Sequence, residues 1–84
     1  MEGFDHAQVY LSRNGVRTLM ILNTDGEIDE YHPARPLRNG WFNMEKLCQF
    51  SPGDVCYLTL DSEEVAIVIE ARDGLQALFL GGTL

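Results

Sequence analysis

The chain has 84 residues, with thirteen acidic side chains against six basic ones and a formal net charge of -7. That length holds one hydrophobic core, so residues 1–84 are read as a single domain, and the negative charge repels phosphate backbones and excludes general nucleic-acid binding. "MEGFDHAQ" lacks the basic and apolar regions of a leader, and no run approaches the roughly 20 apolar residues that cross a bilayer; the expectation is a cytoplasmic protein with reduced thiols at Cys48 and Cys56.

In chain order, "AQVYLSR", "VRTLMILNT" and "EIDEYH" read as a first three-stranded meander. Asn14-Gly15 and Asp25-Gly26 join them, because Asn-Gly and Asp-Gly pairs accept the positive φ that both central residues of a type I′ hairpin require. Asn39-Gly40 and Asp73-Gly74 are turn signals of the same kind.

Residues 32–42, "HPARPLRNGWF", hold two of the six basic residues and none of the thirteen acidic ones. Pro33 and Pro36 stiffen the backbone and remove two donors, which predicts a crossover rather than a ladder. The candidate binding residues are His32, at the strand end that opens this loop, with Arg35, Arg38 and Trp41. Arginine offers bidentate pairing and tryptophan a large contact area. The plainer alternative has the arginines neutralising carboxylates of the same chain and the aromatics folding under. Phe42 is expected in the core, stapled to Leu47, whereas Trp41 is left open between core and surface.

"NMEKLCQF" predicts a two-turn helix near 43–50 with Asn43 as N-cap, and "SPGD" a type II turn with Pro52 and Gly53 at its centre. A second meander follows: "VCYLTL", "VAIVIEAR" and "LQALFLG". A four-residue turn at 61–64 sets Leu60 opposite Val65, Leu58 opposite Ile67 and Cys56 opposite Ile69. Asp73-Gly74 as the next turn sets Ile69 opposite Leu78 and Ile67 opposite Leu80, so one apolar face emerges from two turns placed separately. A helix over 62–73, capped by Asp61, is the competing reading, and the β-branched run "VAIVI" opposes it.

The expected fold is therefore mainly β (α+β): a small six-stranded barrel, or two packed three-stranded meanders (βββ-α-βββ) with one short helix. "RNGVRTLMI" and "RDGLQALFL" share a pattern that fits either a duplicated βββ unit or convergence of two tight hairpins.

Chemistry finds little support. The chain has no G-x-S-x-G serine, phosphate-binding glycine loop or dinucleotide fingerprint, and its two histidines and two cysteines lack a zinc-type spacing. Cys56, facing the core, is expected to have a raised thiol pKa, while Cys48 lies beside Lys46. The acidic groups around Asp25–Glu30 and Asp61–Glu64 read as solvated edges, and "LFLGGTL" places two residues after the glycine pair that a ubiquitin-like carrier would need at its terminus. No catalytic residue, metal ligand or cofactor is assigned. The expectation is a non-enzymatic interaction protein, an adaptor, inhibitor or regulatory subunit, meeting a partner with a basic surface. A homo-oligomeric binder of a small anion, using the two arginines, is the alternative.

Overall fold

Alternating apolar residues and tight turns build six antiparallel strands: β1 (Glu2–Arg13), β2 (Val16–Tyr31), β3 (Leu37–Asn43), β4 (Val55–Leu60), β5 (Glu63–Asp73) and β6 (Gln76–Thr83). They close into one barrel in the order β1-β2-β3-β6-β5-β4 in a computed structural model that describes residues 2–31, 37–44, 49–60 and 62–83. The mainly β class and the six-stranded barrel are as the sequence predicts. β4 returns beside β1 after the long connection from β3, which gives the 4-1-2-3 arrangement of a Greek key.

The inward face is a single core. Val9, Leu58, Cys56, Ile67 and Ile69 line it, and Phe42 sits at its centre, edge-on to Phe50 at 5.7 Å and stacked on Phe79 at 6.0 Å. Phe42 thus occupies the core position expected of it. The connection from β3 is tied down from several sides. Arg13 Nη2 donates to Gln49 O at 3.1 Å and to Asp54 Oδ2 at 2.8 Å, and Gly53 N donates to Ile69 O at 2.8 Å. Gly53 has φ of 94°, as the type II turn of "SPGD" requires.

The hairpins divide into those read correctly and those displaced. Asn14 and Gly15 have φ of 53° and 76° and join Arg13 to its partner Val16, the expected type I′ turn. Asp25-Gly26 does not turn: the segments expected as the second and third strands run on as β2. A Cβ on Gly26 would lie 2.1 Å from the Trp41 carbonyl oxygen and 2.5 Å from the Phe4 ring, so this glycine serves a close approach of three strands instead of a reversal. Asn39-Gly40 is likewise inside a strand. The third strand of the first half is β3, drawn from residues assigned to the crossover and the helix start. Asn43 ends β3 where the sequence suggests an N-cap; residues 45–48 of the expected helix lie outside the described residues, as does Leu47 of the proposed staple.

In the second half, β4 and β5 pair two residues tighter than expected, with Leu58 opposite Val65 and Cys56 opposite Ile67. A slip of two keeps every side chain on its face. At the next hairpin the slip is again two beside the loop and becomes one only past the irregularity between Ile69 and Ala71. Asp73 pairs with Gln76, so Gly74-Leu75 form the loop, and past a register shift Ile69 pairs with Phe79. Phe79 is 2% exposed and Leu78 38%, so Ala77 and Phe79 point inward where Leu78 and Leu80 were expected.

The ring order is unchanged when each strand of β1–β3 is exchanged with its counterpart in β4–β6. That exchange carries the β1–β2 hairpin onto β4–β5. The "RNGVRTLMI" and "RDGLQALFL" likeness relates β1–β2 to β5–β6 instead, so it does not follow the exchange of the two halves. Among the described residues no helix is long and apolar enough to cross a membrane.

Candidate functional site

Closing the barrel turns alternate residues of every strand outward, and the outer rows follow from the registers. One row runs Gly3, Glu27, Trp41, Leu78 across β1, β2, β3 and β6. A neighbouring row runs Asn39, Leu80, Val68, Val55 across β3, β6, β5 and β4. Because Leu78 and Leu80 are two apart on one strand, the rows join into an apolar stripe from Trp41 to Val55. Val55 and Val68 are 42% and 41% exposed, a high value for a cross-strand pair of large aliphatic groups.

The stripe ends at Trp41, and there the chemistry changes sign. Asp25 and Glu27 project from β2 beside Trp41, and Asp5 stands on β1. With Gly3, Phe4 and Gly26 these residues line a groove of about 440 Å³, and no lysine or arginine lines it. Asn43 Nδ2 donates to Asp25 Oδ1 at 2.7 Å, which orients that carboxylate without neutralising it. Buried Thr24 donates its hydroxyl to Asn43 O and so pins the backbone beneath it.

The expected binding residues divide accordingly. Trp41 is half-buried on the outer face of β3, part of a sheet rather than of a loop. Arg38 belongs to β3, pairing through its backbone with Tyr31 and Gly81, whereas His32 and Arg35 lie outside the described residues. Trp41 is therefore brought together with the Asp25–Glu27 part of the acidic run, a combination the sequence reading kept apart. Its signal was present: an aromatic and a carboxylate that each alternate outward on strands destined to pair.

A second outer cluster was missed altogether. The Arg17 guanidinium lies 4.0 Å above the Tyr57 ring and 5.5 Å from that of Tyr10, and it pairs with Glu64. The hydrogen bond it donates to Glu64 raises the Arg17 pKa above its ordinary value. This arrangement uses the positive charge internally and leaves tyrosine edges on the wall. At one mouth of the barrel Leu11, Arg13, Val16, Thr18, Met20 and Gln49 surround a smaller hollow of about 270 Å³.

Cys56 is buried, and burial, reinforced by the nearby Asp54 charge, pushes its thiol up to about 12, leaving it a neutral core group. Cys48 lies outside the described residues. Among the described residues no three His, Cys, Asp or Glu side chains are placed to hold a metal ion. Compared with protein-family models, with curated proteins and with solved structures, the chain matches none.

Proposed function

We propose that this protein is a non-enzymatic interaction module that docks a partner protein on its outer wall, the Trp41–Leu78–Val68–Val55 stripe meeting apolar groups and the Asp25–Glu27 flank meeting basic ones. The observation that carries this reading is the junction at Trp41, where a half-buried tryptophan joins an exposed aliphatic ladder to a groove lined by carboxylates alone among its charged groups. Tryptophan at such a junction is the residue type that concentrates binding energy at the centre of an interface. The adjoining carboxylates select a basic partner and speed its approach at low salt. The net charge of -7 opposes a second copy of the chain as the occupant.

The test uses a partner recovered on the immobilised protein, then purified. Val68→Glu with Leu78→Asp, both on the outer wall, is expected to weaken that complex at least about 100-fold, since two anchor positions typically carry 2 kcal/mol or more. Leu22→Glu, on a separate exposed apolar residue of β2, serves as the control and is expected to leave it intact. Equal binding by the Val68/Leu78 variant overturns the reading. So does a wild-type protein that forms a stable dimer abolished by the same substitutions.

A further inference from the structure

β1 pairs with β2 from Glu2 to Arg13, but the shorter β4 reaches only Val9 to Ser12 on its other side. Beyond Leu58, Thr59 and Leu60 pair with β5 and have left β1. The separation is built into β1 itself: its register shifts between Phe4 and Ala7 and again between Ala7 and Val9, and His6 has φ of 56°, which bends the strand away. From Gly3 to His6 the second edge of β1 therefore has no strand partner among the described residues. Up to the bend at His6 this backbone runs as strand and leaves that edge open to an added one.

This edge borders the acidic groove. Asp5 stands on it, Asp25 and Glu27 follow on β2, and Trp41 closes the far side. A strand laid along four residues spans roughly 13 Å and directs alternate side chains to one face, toward those carboxylates. The charges decide the occupant. A second copy of this chain would bring Asp5 against like charge, whereas a basic segment gains an ion pair for each lysine or arginine that turns inward.

We infer that the Gly3–His6 edge of β1 accepts an extended basic segment of the partner as an added strand, its basic side chains reaching the Asp5–Asp25–Glu27 groove. This rests on the reading of the protein as an interaction module for a basic partner, and it specifies how part of that partner is held.

The experiment titrates the whole protein with an eight-residue peptide of alternating lysine and valine while following amide exchange and Trp41 fluorescence. Two further peptides are compared: the same sequence with alternate backbone nitrogens methylated, which keeps the charge and removes the ladder, and a glutamate–valine peptide. The lysine peptide is expected to slow exchange of alternate amides within Gly3–His6 by about tenfold or more and to perturb Trp41, and neither control peptide to do so. Equal protection by the methylated peptide, or protection confined to residues outside Gly3–His6, overturns strand addition. Protection that grows with protein concentration in the absence of peptide also overturns it, by making a second copy the occupant. The docking reading fails separately, through the Val68→Glu, Leu78→Asp complex, so the two failures are distinguishable.

Discussion

Gly40 shows how little room a residue can have in this barrel. A Cβ there would lie 2.2 Å from the Glu27 carbonyl oxygen and 3.0 Å from the Phe79 ring, so an added methyl must push β2 and β3 apart. Gly40→Ala is expected to lower stability by about 3 kcal/mol, measured by urea unfolding, because backbone on one side and a core ring on the other leave no side chain free to move away. An unchanged midpoint would show that the strands are not so closely apposed. Asp54 offers a test by pH. The hydrogen bond from Arg13, opposed by partial burial and aided by the Ser51 N–H, holds its carboxyl below the ordinary carboxylate value. A lowered folded-state pKa gives stability that is present above the unfolded pKa and lost as pH falls through the folded one. The stability difference between wild type and Asp54→Asn is therefore expected to be constant above about pH 5 and to narrow below about pH 4. A difference that persists unchanged at acid pH would assign the effect of Asp54 to packing alone.

The β5–β6 pair sets its inward face at the register irregularity between Ile69 and Ala71. Moving the loop from Asp73-Gly74 to Gly74-Leu75 shifts the pairing by two and keeps every side chain on its face, whereas the irregularity between Ile69 and Ala71 shifts it by one and exchanges the faces; "LQALFLG" carries apolar groups on both faces, so alternation does not predict it. The core chooses: Phe79 fits between Phe42 and Ile69, while Leu78 on the outside extends the row from Trp41. Phe79→Ala is expected to destabilise by about 3–5 kcal/mol and Leu78→Ala by less than about 1 kcal/mol, both by urea unfolding. The opposite ranking would restore the register first expected from the sequence. The same reasoning explains which elements were legible. Asn14-Gly15 was, because an Asn-Gly pair between two strand-like runs favours the positive φ of a tight hairpin, which both residues adopt. Asp25-Gly26 was not, because a glycine required for turning and a glycine required for contact look alike until the partner strand is known. β3 was hidden by the Asn39-Gly40 turn signal, whose local preference was outweighed by pairing on both sides with β2 and β6.

At the scale of the whole molecule, the candidate surface exists only because the ring closes. Trp41, Asp25, Leu78 and Val68 stand on four different strands, and nothing local in the chain announces that they share one wall. The sequence identified Trp41 and the acidic run separately, and long-range pairing supplied their relation. Each half, β1–β3 and β4–β6, meets the other along two seams, β1 with β4 and β3 with β6. The second seam has a temporal consequence. β6 follows every other strand in chain order, so during synthesis β3 and β5 must each keep an edge unsatisfied until β6 has emerged. Folding is therefore completed late, and the net charge of -7, to which Asp25 and the half-buried Glu27 beside the wall contribute, opposes edge-to-edge pairing between copies during that interval.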